Sequence, residues 1–165
     1  MTSLDQNAAE LRSLVQEFLL QVRKVDSAAT ANPETELTPQ EVRVLEYLGD
    51  RDMRMMRELA EFLVLAVNSV TNIIDNLEKR SLVRRTRSDE DRRVVLVELT
   101  ETGKTIYNRL AVHKQDFLQK LLSSLEPSEH SSFMLSFTRM VETGRAVLGL
   151  KAPTVTPPAA EGATA

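Results

Sequence analysis

A block of cations between Lys79 and Arg93 is the part of the sequence whose residue types and spacing could do chemistry. It holds seven basic residues, which are Lys79, Arg80, Arg84, Arg85, Arg87, Arg92 and Arg93. Three acids lie in the same stretch, so it carries +4, whereas the rest of the chain has 14 cations and 21 acids. Guanidinium groups are planar forks of donors that suit phosphate and carboxylate oxygens. The overall charge of −3 therefore hides a local basic surface on an acidic body.

A solvated charged face would also explain a basic run, so the elements around it decide the interpretation. Residues 82–87 can form a strand, residues 88–92 form a polar turn, and residues 94–99 form a second strand rich in β-branched side chains. This pattern predicts a hairpin that carries most of the arginines.

The residues before the hairpin have the periodicity of successive helices. Thr38-Pro39-Gln40-Glu41 offers a hydroxyl cap, a proline at the first helical position and a carboxylate three residues after the cap. Gly49 marks the end of that helix. A second, short helix fits Met56–Leu63, with inward-facing side chains at Leu59, Phe62 and Leu63.

A third helix fits Val67–Arg80 and directly precedes the hairpin. Its predicted inward residues are Val70, Ile73, Ile74 and Leu77. Its predicted outward residues are Asn68, Ser69, Thr71, Asn72, Asp75 and Asn76. A short helix, an outward-polar helix and a charged hairpin in this order predict a winged helix-turn-helix unit of about residues 38–99.

The two ends of the sequence predict long amphipathic helices. One fits Leu4–Val25, where Ser3 and Gln6 could form a capping box. Thr100-Glu101-Thr102-Gly103 caps a second, and Pro127 opens a third that runs to Leu148. Their apolar stripes exceed what one thin domain can bury, which predicts pairing across a two-fold axis through about residues 4–26 and 104–148. Residues 1–150 form one predicted domain, and the Pro/Ala/Thr-rich residues 151–165 are expected to be disordered.

From Leu11 to Leu148 the sequence resembles the MarR (multiple antibiotic resistance regulator) family. The residues that carry the resemblance are the run from Leu77 to Arg85, then Asp89-Glu90-Asp91-Arg92-Arg93, then Leu96 to Gly103. The resemblance implies a mainly α-helical fold with a small two-stranded wing, and a homodimer that binds double-stranded DNA. It also implies that Arg93 enters the minor groove and that Asp91 orients it, although the two residues could instead only hold the hairpin turn. Arg84, Arg85, Arg87 and Arg92 would contact phosphates on either side.

The sequence departs from the family pattern at the helix predicted over Val67–Arg80 and at the connection before it. The residues from Val64 to Val67 stand where a glycine turn and a polar cap are usual, which predicts a continuous or differently kinked connection. Asn68 could then cap the helix one turn late. The candidate base-reading residues are Asn68, Ser69, Thr71, Asn72 and Asn76, although simple solvent exposure would also explain them. Asparagine can bond adenine bidentately even where no cation is present.

The sequence offers little support for other classes of protein. His113 and His130 lie on separate predicted helices without the partners of an enzyme site, and two histidines without cysteine are a poor zinc ligand set. We therefore expect no enzyme activity, no cofactor and no bound metal. No apolar run approaches the ~20 residues of a membrane span, and no secretory signal is evident, so we expect a cytoplasmic protein without a membrane partner.

The functional expectation is a sequence-specific transcriptional regulator. The family resemblance implies a repressor or activator on a pseudo-palindromic operator, released by a small, often anionic aromatic effector. A winged helix that binds another protein instead of DNA would have the same sequence pattern and is the alternative.

Overall fold

The computed structural model of the protein describes residues 2–31, 36–50, 53–88 and 91–150. The elements follow in the order α1 (Ser3–Ala29), α2 (Pro39–Gly49), β1 (Arg54–Met55), α3 (Met56–Leu63), α4 (Val67–Lys79), β2 (Val83–Arg87), β3 (Val95–Leu99), α5 (Glu101–Leu122) and α6 (Pro127–Leu148). The predicted fold class, mainly α-helical with a small wing, is confirmed. The expectation for residues 151–165 lies outside the described residues.

Contacts divide the chain into two compact units. The first, Met1–Phe117, contains α1 to α4, the sheet and most of α5. The second, Leu118–Ala165, contains the end of α5 and all of α6. The single domain expected over residues 1–150 stays a prediction.

The sheet has three antiparallel strands in the order β1-β3-β2. β2 and β3 form the predicted hairpin, with Val83 opposite Leu99 and Arg87 opposite Val95. β1 pairs Arg54 with Val97 and was not predicted, because a strand of two residues shows no alternation that a sequence pattern could reveal. The extra strand covers the outer edge of β3.

The core of the first unit lies between the sheet and the helices α2, α3, α4 and α5. Its fully buried side chains include Leu45, Leu48, Leu59, Val70, Ile74, Leu77, Val97 and Leu110. Phe62 was predicted to face inward, which is wrong: it is 39% exposed and stacks on Tyr47 with ring centroids 4.3 Å apart. The correct inward residues of α3 include Leu59 and Leu63, one turn apart.

Local capping explains where the first two helices begin. The capping box predicted for α2 is confirmed, since Glu41 N–H donates to Thr38 Oγ1 at 3.3 Å and Thr38 N–H donates to Glu41 Oε2 at 2.8 Å. The box of α1 is formed by Thr2 and Asp5, one residue earlier than the predicted Ser3 and Gln6.

The start of α5 is joined closely to the turn between α4 and β2. Thr100 Oγ1 accepts from Gly103 N–H at 3.0 Å, which confirms the predicted cap, and donates to Ser81 O at 2.6 Å. A Cβ on Gly103 would lie 2.0 Å from Leu82 O. Glycine is therefore required for this close approach, which fixes the wing relative to α5.

A charged cluster ties three helices of the first unit together. Lys114 on α5 pairs with Asp26 on α1 at 3.0 Å and also with Glu46 on α2. Burial lowers the pKa of Lys114, but its hydrogen bonds and charge interactions with the two carboxylates outweigh this, so that the net pKa is raised. Nearby, the Tyr107 hydroxyl donates to Asp50 Oδ1 at 2.8 Å.

Candidate nucleic-acid interface

The outward face of α4 is a polar stripe. Asn68, Ser69, Asn72 and Asn76 are all exposed, and Lys79 continues the stripe at the carboxyl end of the helix. These positions share one face because their spacings follow the 3.6-residue period. Four of the five predicted base-reading residues therefore lie together, and the sequence had not singled out Lys79 for this stripe.

Thr71 and Asp75 do not belong to the polar stripe, although both were predicted to face outward. Both are half-buried. The Thr71 hydroxyl donates to Val67 O within the helix at 3.0 Å, and Asp75 Oδ1 pairs with Arg85 at 2.6 Å. Asp75 thus faces the wing, and a base contact from Thr71 stays a prediction that its hydrogen bond does not favour.

Arg85 fastens the wing to α4. Its guanidinium pairs with Asp75 and, at 2.7 Å, with Glu78, and it also donates to Thr71 O at 3.2 Å. The backbone N–H of Arg85 donates to Glu78 Oε1 at 3.2 Å. The side chain is 24% exposed and has several of its donors occupied. Phosphate binding by Arg85 stays a prediction, and phosphate would have to compete with these partners.

The connection between α3 and α4 is a sharp turn and not a continuous helix. Val64 adopts a left-handed conformation (φ 55°, ψ 46°) after α3, and Leu65 N–H donates to Ala60 O at 3.1 Å across the helix end. The prediction of a continuous or kinked connection is wrong because valine takes the backbone position that glycine usually fills.

The cap predicted for Asn68 is also wrong. α4 begins at Val67 after the cap residue Ala66, which has no side-chain hydrogen bond to the helix. Asn68 is the second residue of the helix, and its exposed side chain belongs to the polar stripe.

Asp91 organises the tip of the wing through the backbone. Its carboxylate accepts from Arg93 N–H at 2.9 Å, and its carbonyl accepts from Val94 N–H at 2.9 Å. The predicted carboxylate–guanidinium pair between Asp91 and Arg93 is absent from the contacts of residues 91–150. An aspartate two residues before an arginine can accept a hydrogen bond from the guanidinium or from the backbone N–H of that arginine. Here it accepts from the backbone N–H and thereby holds the turn.

The arginines of the wing fall into two groups. Within the described part of the chain, the side chains of Arg87, Arg92 and Arg93 are exposed and form no ion pair. Arg84 Nε donates to Glu98 Oε1 across the hairpin at 2.7 Å, and this hydrogen bond raises the pKa of Arg84 and lowers that of Glu98. Arg84 is nevertheless 66% exposed. The wing thus carries three unpaired guanidinium groups and a fourth, that of Arg84, which is paired but still exposed.

Large apolar side chains are exposed on the terminal helices. On α1 they include Leu4, Leu11, Leu14, Val15, Phe18, Leu19 and Leu20. On α6 they include Phe133, Met134, Leu135, Phe137, Met140, Val141, Val147 and Leu148. In α6 none of these side chains is buried within the chain, although Phe133 and Phe137 stack at 5.8 Å. Such extended apolar surface is unusual for a monomer.

Neither histidine belongs to a cluster of chemical groups. His113 is exposed, and His130 Nε2 lies 2.9 Å from Leu122 O, to which it donates. Among the described residues, no group of three or more His, Cys, Asp or Glu side chains could hold a metal ion. In the same residues, no helix combines the length and apolar character that crossing a membrane would require.

Comparison with known proteins gives one family and a consistent fold. A family model described as transcriptional regulator SarA/Rot matches residues 28–110, half of the chain. The structure of Streptococcus pneumoniae FabT in complex with DNA is similar to this fold with a TM-score of 0.75 at 18% identity. That match covers 86% of this chain and 98% of FabT.

Curated relatives match somewhat more than half of the chain. The uncharacterised HTH-type transcriptional regulator YfiV of Bacillus subtilis is 34% identical over 89 residues, which are 54% of this chain and 56% of YfiV. The HTH-type transcriptional repressor MdtR of Bacillus subtilis is 29% identical over 93 residues, which are 56% of this chain and 60% of MdtR. The matched stretch is thus less than two thirds of either relative.

Proposed function

The chain belongs to the transcriptional regulator SarA/Rot family, and we propose that it binds double-stranded DNA. Binding would be sequence-specific and would regulate transcription. The proposal depends chiefly on one observation, the three unpaired arginines of the wing beside the exposed polar stripe of α4.

The wing would supply most of the affinity. Arg93 at the tip would enter the minor groove, whose negative potential attracts an inserted arginine, with Asp91 holding the turn that presents it. Arg87, Arg92 and the exposed Arg84 would contact phosphates, which position the protein but carry no sequence information. Arg85 would contribute indirectly by holding the wing against α4.

The polar stripe of α4 would supply the sequence information. Asn72 and Asn76 are exposed on one face, one turn apart, and an asparagine amide can bond adenine N6 and N7 together. Asn68 and Ser69 lie at the amino-terminal end, where residues of such helices contact base edges.

We also propose that the protein acts as a homodimer. The exposed apolar residues of α1 and those of α6 would be covered by a second copy, because burial of apolar surface drives association. A two-fold dimer presents two α4 helices to half-sites about one helical turn apart, which calls for a pseudo-palindromic operator.

Repression and release by an effector complete the proposal. One relative, MdtR, is named a transcriptional repressor, which supports the same mode here. A small anionic aromatic ligand, expected from the family resemblance, could lower DNA affinity only by preferring a dimer shape whose α4 helices are misplaced.

Selection from a random duplex library tests the proposed function. The full chain is mixed with duplexes that carry a random core about two helical turns long, bound duplexes are recovered, and their sequences are read. We expect enrichment of one inverted-repeat motif with A/T-rich flanks. Recovery of no enriched sequence at moderate salt would contradict specific DNA binding and favour a winged helix that contacts protein.

A further inference from the structure

The amino-terminal end of α4 presents an apolar side chain to solvent. Val67, the first residue of the helix, is 49% exposed. Val70 and Ile74 of the same helix are fully buried, and Leu65 in the preceding turn packs against the core. Val67 is therefore a surface valine at the end of the helix that we propose lies in the DNA groove.

We propose that Val67 contacts the C5-methyl group of a thymine in the major groove and thereby helps to select the operator sequence. This inference rests on the proposed function. In helix-turn-helix proteins the amino-terminal residues of the second helix contact base edges. Thymine is distinguished in the major groove by its C5-methyl group, which aliphatic side chains contact.

The surroundings of Val67 favour DNA as the occupant. Asn68 and Ser69 follow it directly and are exposed, so that the valine is continuous with the polar stripe. Among the exposed residues described for that stripe, the only cation is Lys79, at the opposite end of the helix. Discrimination at the amino-terminal end must therefore use uncharged contacts, and an aliphatic side chain beside an amide and a hydroxyl suits base edges.

The expected size of the effect follows from the burial of one methyl group. Such burial is worth about 0.8 kcal/mol, or about fourfold in affinity. In a symmetric dimer the same contact occurs twice, so that loss of both methyl groups should weaken binding on the order of 15-fold.

Replacement of thymine by uracil tests the inference, because uracil lacks only the methyl group. The probe is the duplex recovered by selection, resynthesised with deoxyuridine at one thymidine position at a time. We expect one position in each half-site at which the full-length protein loses about fourfold in affinity. Val67→Ala should bind the thymidine and deoxyuridine duplexes equally at that position.

Val112→Ala is the matched control, since Val112 is an exposed valine on α5 at 58% exposure, outside the winged helix-turn-helix unit. It should keep the full sensitivity to deoxyuridine. If the wild-type protein binds every deoxyuridine duplex as tightly as the thymidine duplex, the inference is overturned but DNA binding is not. This scan needs no variant. Equal sensitivity of wild type and Val67→Ala would also overturn it. Absence of any DNA binding would overturn the proposed function as well.

Discussion

Single residues of the interface show how far a sequence pattern can be interpreted. The family resemblance implied that Asp91 orients the side chain of Arg93, but an aspartate two residues before an arginine fits two arrangements. The carboxylate can hold the guanidinium or the backbone N–H of Arg93, and the structure has the second. The backbone conformation of Val64 could not be predicted for another reason. A valine with positive φ is rare, so that no sequence rule proposes one.

Val64→Gly should stabilise the fold. A left-handed conformation costs an L-residue with a Cβ about 1–2 kcal/mol, and Val64 is 85% exposed, so that glycine loses little burial. The greater freedom of glycine in the unfolded chain offsets part of this gain. We expect a net rise in the free energy of unfolding on the order of 1 kcal/mol, measured by urea denaturation.

The same substitution elsewhere provides the control for this prediction. Val112→Gly, in the interior of α5, should destabilise the protein by roughly 0.5 kcal/mol, because glycine is less favourable in a helix than valine. A lower urea midpoint for Val64→Gly than for the wild type would show that the left-handed valine is not strained.

At the scale of elements, the sequence predicted what local capping and periodicity determine. The starts of α2 and α3 follow from residues within one turn of the helix end, such as Thr38 and Glu41 in α2. β1 depends on pairing with β3, some forty residues away in sequence, and leaves no local signal. The ion pairs of Arg85 with Asp75 and Glu78 on α4 also depend on tertiary structure. In the sequence, Arg85 was only one more cation of the basic block.

Arg85→Met should separate a positioning role from a phosphate contact. Asp75 and Glu78 are about two-fifths exposed, so that water can solvate them after the change, and we expect a loss of stability of about 1 kcal/mol. DNA affinity should fall because the wing is less firmly held, while the dependence of log affinity on log salt keeps its slope.

Arg84→Met is the matched control for this prediction. Arg84 bonds Glu98 within the hairpin itself and is more exposed, so that its removal should cost less stability. A decrease in salt slope of about 0.9 per site for Arg85→Met would show that Arg85 binds phosphate directly, as the sequence first suggested.

The whole molecule exposes more apolar surface than a stable monomer usually does. This surface lies on α1 and on α6, and its excess was already visible in the sequence as long amphipathic stripes. The sequence could not show which helix faces remain uncovered, because burial depends on the packing of the folded chain. A second copy is the occupant that we propose for these faces.

Light scattering at micromolar concentration tests this assembly. We expect a mass near twice the chain mass of 18.5 kDa. Phe137→Glu, at an exposed position of α6, should shift the protein toward the monomer because a buried unpaired carboxylate is costly. A folded wild-type monomer at this concentration would remove the basis for a palindromic operator.

The salt dependence of DNA binding by Arg93→Ala tests the central claim most directly. Arg109→Ala, at an exposed arginine of α5, serves as the charge-matched control. A cation in the minor groove neutralises phosphate charge and releases counterions, so that each arginine removed should lower the salt slope by about 0.9. A dimer that loses both copies of Arg93 should therefore show a decrease of roughly 1.8, together with weaker binding to all sequences. Arg109→Ala should leave the slope unchanged. Intact affinity and slope in Arg93→Ala would contradict the account, because the wing would then not contact DNA.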